Sequence, residues 1–338
     1  TELQSKIDIC TRALLACGVR EGDVLALCLP NLPAAVIAFY AANRLGCICN
    51  MIHPLSPPRL VGKHLEETNS SFLFIADIAV NKLRPLLEEL KETRKMKDII
   101  VCGMADDAPG WKRPFFKIQL RKSNPEKDLL TGLTPWNRFL KKAESVSKIP
   151  ARSKDHRSVC AYLHSGGTTS EPKTIMLSDY NFNAIAYQGN QLLGYPLSEP
   201  APYGKSMITV LPLFHGFGLC IGMHTCLIND IKVYLLPRFS AKAVADLFKK
   251  NKANYICGVP TLYEALSKAD EMQEADLSCL EAAFCGGDSL TPELKDRFDK
   301  FLAGHGSKSK LREGYGLTET VTVCSVMPEI GGASCRER

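Results

Sequence analysis

Apolar runs of about five residues alternate along this chain with segments of about ten to fifteen residues whose apolar positions recur at helical spacing. That alternation is the signature of βαβ units, in which a parallel strand is buried on both faces and a crossover helix covers it. Strands are expected within Gly22–Pro30 and over Ile48–Ile52, Phe72–Ala76 and Lys97–Cys102. Helices are expected over Glu2–Ala16, Pro33–Leu45, Arg59–Thr68 and Val80–Lys91, with Gly18 and Gly46 as stops after the first two. Between Gly103 and Pro135 prolines and charges break the pattern, which reads as a surface excursion. An amphipathic helix resumes over Trp136–Val146, and Pro150–Arg157 reads as a linker, so residues 1–150 and 151–330 form two expected subdomains. The second repeats the alternation, with strands over Ser206–Leu211, Ile231–Leu236, Tyr255–Val259 and Glu281–Cys285. Its helices are expected over Tyr180–Leu193, Ala241–Lys250, Pro260–Ala269 and Pro292–Leu302.

Composition removes several function classes. At 338 residues and 45% hydrophobic, the chain has ample core for an α/β protein. A net charge of +6 is scattered, and no basic run is interleaved with aromatics, which argues against nucleic acid as a partner. No apolar stretch reaches the length of a membrane span, and no signal peptide is visible. The 14 cysteines lack paired C-x-x-C spacing and mostly lie in apolar segments. They read as reduced, structural thiols, and hence as a sign of a cytoplasmic protein.

One stretch is built for an anion. After the apolar Val159–Leu163 come Ser165, Gly166, Gly167, Thr168, Thr169 and Ser170, then Pro172 and Lys173, then a second apolar run, Thr174–Leu177. The two glycines let successive N–H groups point at one anion, the hydroxyls add donors, and the lysine adds a point charge. The Walker spacing G-x-x-x-x-G-K-[ST] is absent. The dinucleotide fingerprint also fails, because Ile221 follows Gly216 and Gly218 where a third glycine is needed. The cradle is therefore expected between two strands, without a helix dipole, and the competing reading is a plain Ser/Gly-rich hairpin turn.

Ser165–Lys173 resembles the AMP-binding signature of the adenylate-forming superfamily, which includes acyl- and aryl-CoA ligases and adenylation domains. Three later stretches carry the same resemblance in order. In Pro212–Leu219 (P-L-F-H-G-F-G-L), His215 stands where relatives place a histidine beside a carboxylate substrate; a cap on the helix starting near Phe217 is the alternative. In Cys285–Leu290 (C-G-G-D-S-L), Gly286, Gly287 and Asp288 would border adenine; the alternative is a strand-to-helix turn with Ser289 as N-cap. In Gly314–Thr320 (G-Y-G-L-T-E-T), the resemblance implies that Tyr315, flanked by Gly314, Gly316 and Leu317, stacks on adenine. Thr318 would then reach the α-phosphate, and Glu319, with Thr168, would hold Mg²⁺.

The resemblance implies the large N-terminal domain of an acyl-CoA synthetase-like fold, with ATP, Mg²⁺ and coenzyme A as the small-molecule requirements. The reaction implied is attack of a carboxylate on the α-phosphate of ATP, followed by thioester formation. Loading of an acyl carrier protein, or binding of ATP without catalysis, are the alternatives. Phe214-His215 in place of an F-D pair favours a simple fatty or aryl acid over an amino acid. The family's ribose-binding aspartate, hinge and small C-terminal domain do not occur in these 338 residues, and 331–338 (G-G-A-S-C-R-E-R) departs from the family pattern. The chain is accordingly expected to be an N-terminal fragment, weak or inactive alone.

Overall fold

The computed structural model describes residues 1–93, 95–107, 131–153, 155–165, 172–193 and 203–327. The chain divides into two compact units, Thr1–Asp179 and Tyr180–Arg338. Each is organised on its own mainly parallel sheet, as the alternating apolar runs require.

In the first unit the strands are β1 (Val24–Cys28), β2 (Ile48–Met51), β3 (Phe72–Ala76), β4 (Asp98–Cys102), β5 (Thr134–Pro135), β6 (Val159–His164) and β7 (Thr174–Ser178). They form a seven-stranded sheet in the order β5-β4-β3-β1-β2-β6-β7, parallel throughout except for the β6/β7 pair. Every residue of β1, β2 and β3 is buried, which is why these strands read as unbroken apolar runs. Helices Glu2–Ala16 and Pro33–Arg44 end where Gly18 (φ 76°) and Gly46 (φ 70°) take up the left-handed backbone that stops a helix. The helix expected from Val80 starts instead at Arg84 and runs to Thr93. Pro85 accounts for the shift: it fits a first helical turn but would break an interior one, so the preceding residues form a 3₁₀ segment, Asp77–Ala79, and a turn. Likewise the Trp136 helix ends at Lys141 and tightens to 3₁₀ over Lys142–Ser145; Trp136 and Phe139 anchor it by stacking together and meeting Phe74 edge-on.

The second unit contains β8 (Ser206–Thr209), β9 (Lys232–Leu235), β10 (Tyr255–Gly258), β11 (Ala282–Cys285), β12 (Leu311–Tyr315) and β13 (Ser325–Val326). Their order is β13-β12-β11-β10-β8-β9, with only β13 antiparallel. Helices Ala241–Asn251, Pro260–Lys268 and Pro292–Gly304 cover the sheet, burying Phe248, Tyr263, Leu266, Phe298 and Leu302 in one cluster. Tyr263 is wholly buried, and its hydroxyl donates to Phe284 O (2.6 Å), so the ring packs without stranding a polar group. Between β8 and β9 lies an eight-residue π-helix, Phe217–His224, continued by Thr225–Ile228.

Candidate functional site

The first group of predicted site residues is carried by the β6–β7 hairpin. Antiparallel pairing runs from Val159↔Ser178 to His164↔Thr174, so the loop spans two strands as expected, with no helix at its end. Its described ends are tied together. Ser165 N donates to Lys173 O (2.9 Å), and Lys173 N donates to Ser165 Oγ (3.2 Å). These bonds bring Ser165 and Lys173 side by side at the hairpin mouth. Gly166, Gly167, Thr168, Thr169 and Ser170 lie outside the described residues.

The second group lies in the second unit, beyond the C-terminal ends of parallel strands, where open α/β sheets place their ligand crevices. Gly286 follows β11, and its N–H donates to Gly258 O at the end of β10 (3.1 Å). A Cβ on Gly286 would lie 3.1 Å from Gly314 O and 3.2 Å from the Phe217 ring, so main chain and one aromatic edge close that spot. Gly287 has φ 79°, a turn that favours glycine, and Asp288 folds back so that its Oδ1 accepts from Ser289 N (2.7 Å). The following helix is capped by Thr291, whose side chain accepts from Leu294 N, and not by Ser289. Pro292 at the first helical position places the cap one residue before it.

Gly314–Thr320 leaves β12 and turns back to β13. Cys324 N donates to Tyr315 O (2.9 Å), and Thr322 N donates to Leu317 O (2.8 Å), closing a tight loop around a 3₁₀ turn, Thr318–Thr320. A Cβ on Gly316 would fall 1.3 Å from Thr322 O, so no side chain fits there. Val321 (φ 54°) and Thr322 (φ 81°) are β-branched residues held in left-handed backbone, a strain of about 1–3 kcal/mol each. Tyr315 is 59% exposed at the strand end, which leaves a ring face open to a flat partner. Glu319 is exposed, and among the described residues no ion pair engages its carboxylate.

His215 takes up the contact that its capping reading requires. Phe217 N donates to His215 Nδ1 (3.2 Å), so the ring does cap the π-helix. With Nδ1 accepting, the proton of the neutral ring is on Nε2, and the exposed side chain can donate from there. Desolvation by the surrounding protein lowers its pKa below the usual histidine value and favours that neutral form.

A family profile described as AMP-binding enzyme matches residues 1–336. The chain belongs to that family. Among curated AMP-binding relatives, the long-chain-fatty-acid–CoA ligase of Bacillus subtilis (strain 168) is 28% identical over 314 residues, 92% of this chain and 54% of the relative. The 4-coumarate–CoA ligase 1 of Arabidopsis thaliana is 26% identical over 313 residues, covering 91% and 50%. The chain thus spans about half the length of the curated relatives it matches. Among solved structures, ATP-bound MatB from Rhodopseudomonas palustris aligns with a TM-score of 0.76 at 17% identity, covering 98% of this chain and 56% of that one. At that identity the likeness speaks for the fold alone.

Several residues that shape these two places were not singled out from the sequence. Phe217, which closes over Gly286, sits in an apolar run whose helical type no periodicity announces. Asn50, His64, His164 and Thr174 form a polar cluster at the base of the hairpin, described below. A polar residue inside the apolar run I-C-N-M was the available signal for Asn50.

Proposed function

We propose that the full-length protein uses ATP to activate a carboxylic acid as an acyl-adenylate and then transfers the acyl group to coenzyme A. The observation that carries this reading is the close approach of Gly286 to Gly314 O at the ends of neighbouring parallel strands, with Tyr315 exposed at the end of the second. Adenine is flat and apolar on its faces and fits between main chain and an aromatic ring. Thr318 follows at that strand end for the α-phosphate, and Ser165 and Lys173 carry the donors and charge suited to the leaving pyrophosphate.

The nucleophile needs no general base, because a carboxyl group with a pKa of about 4 is already ionised at neutral pH. The obstacle is repulsion between two anions, so the protein's contribution is positioning and neutralisation of charge. The neutral Nε2–H of His215 would orient the carboxylate without itself exchanging a proton. The resemblance gives Glu319 and Thr168 the part of magnesium holders; a hard carboxylate oxygen such as that of Glu319 suits the ion, which would neutralise phosphate charge. His215 also supports a fatty or aryl acid over an amino acid, whose ammonium group calls for an anionic partner.

Carboxylate-dependent exchange of labelled pyrophosphate into ATP by the full-length protein tests the first step, and thioester formation with coenzyme A tests the second. Exchange with fatty or aryl acids is expected. Binding of ATP without exchange would overturn the reading, and exchange with transfer only to a carrier protein would replace its second step.

A further inference from the structure

Beneath the β6–β7 hairpin, two imidazoles are stacked face to face. The His64 and His164 ring centroids are 3.6 Å apart and the planes 25° apart. His164 is the last residue of β6, directly before Ser165, and His64 comes from helix Pro58–Glu67. Buried Asn50 on β2 fixes the arrangement. Its Nδ2 faces three acceptors, His64 O (3.2 Å), Thr68 Oγ1 (2.8 Å) and Ser70 Oγ (3.1 Å), so its Oδ1 must be the atom facing His164 Nε2 (2.7 Å). An acceptor there requires His164 to carry its proton on Nε2. His164 Nδ1 is then an acceptor, and the Thr174 hydroxyl donates to it across the hairpin (3.2 Å). The partners fix both the tautomer and the plane of the ring.

Thr174 is the first paired residue of β7 and follows Lys173 directly, and His164 and Thr174 are register partners. The side-chain bond between them therefore sits one residue behind the Ser165–Lys173 tie at the loop mouth. We propose that His164, held by Asn50 and stacked on His64, is a positioning residue that sets Ser165 and Lys173 for polyphosphate through Thr174. This rests on the reading of that hairpin as the pyrophosphate cradle. Among the described residues, the charged groups beside His64 are Glu67, whose Oε2 approaches Nδ1 at 3.7 Å, too far for a hydrogen bond, and Lys63. Burial, with the neighbouring His64, keeps the His164 ring uncharged, with its pKa lowered to about 3.

The test uses the full-length protein in pyrophosphate exchange, with KM for ATP and for the acid measured separately. His164→Ala and Thr174→Val are each expected to raise KM for ATP about tenfold while KM for the acid stays within about twofold. Thr174→Ser keeps the donor and is expected to restore the wild-type value. The double variant is expected to lose no more than either single one, because both remove the same link. If Thr174→Val and Thr174→Ser are alike in KM for ATP, or if His164→Ala only lowers the melting temperature, the proposal falls. Should His164→Ala fail to fold, the Thr174 pair decides alone. Failure of the wild type to catalyse exchange would instead overturn the assigned function.

Discussion

Gly316 has no alternative at its position, since any β-carbon would overlap the carbonyl of Thr322. Gly316→Ala must push the Val321–Thr322 turn, which already carries left-handed backbone, out of place. A stability loss of about 1–3 kcal/mol by urea unfolding is expected, with pyrophosphate exchange falling as Tyr315 and Thr318 move. Glu319 is different because it is exposed and packs nothing, so Glu319→Gln should leave unfolding unchanged. If Glu319 holds the metal, exchange should fall by about 10²–10³-fold, the scale of one transition-state contact. The same experiment with unchanged exchange would remove Glu319 from the site. His215→Asp should impair fatty or aryl acid activation without conferring amino-acid activation, since the walls of an acid pocket also select the substrate; pyrophosphate exchange with glycine or alanine would contradict this. The motifs holding these residues were plain in the sequence because their chemistry is local. The roles of Asn50, His64 and His164 were not, because nothing in three separate segments says that their side chains meet.

At the scale of elements, the π-helix Phe217–His224 is the least regular piece, and its packing explains why it keeps a wide turn. Gly218 lies under the carbonyls of Leu211 and Pro212, where a Cβ would approach Pro212 O to 2.2 Å. A Cβ on Gly222 would lie 2.8 Å from the Thr209 methyl group, and the Gly222 carbonyl receives the Thr209 hydroxyl. Gly218→Ala is therefore expected to cost about 1–3 kcal/mol and to displace His215 and Phe217; an unchanged urea midpoint would contradict this. Thr291→Ala removes the cap of the Pro292–Gly304 helix and should cost about 1 kcal/mol by urea unfolding. Element type was legible for the helices with apolar periodicity and for strands buried on both faces. A boundary slipped where a proline decided it, as at Arg84, whereas the start at Pro292 was read correctly and only its cap fell to Thr291 instead of Ser289. The π-helix was hidden because F-G-L-C-I-G-M-H is apolar nearly all round and offers no period to read.

For the whole molecule, titration and thiol chemistry give two readouts. His64 and His164 have lowered pKa values, His164 to about 3, so the unfolded chain binds more protons than the folded one below about pH 6.5. Stability should fall as pH drops from about 6.5 toward 3, by about 2 kcal/mol at pH 5 from His164 alone. Asp77 works the other way: burial raises its pKa to about 6, so its unfavourable ionisation is relieved between about pH 6 and 4. Urea midpoints at pH 7 and 5 should show the histidines prevailing; a higher midpoint at pH 5 would refute this balance. Of thirteen described cysteines only Cys324 is exposed, while Cys17 and Cys279 are half-buried. Residue-resolved alkylation of the native protein should label Cys324 first and the buried ones only after denaturation. The overall architecture was the most legible level, since alternating apolar runs dictate parallel sheets, whereas strand order depends on contacts between distant segments.

At the ends of β11 and β12, Gly286 packs close to Gly314 O and Gly316 lies against Thr322 O with no room for a side chain. Peptide groups are the same whatever residues surround them. A lineage can therefore exchange most of its amino acids and keep such a surface intact, provided two or three positions never acquire a β-carbon.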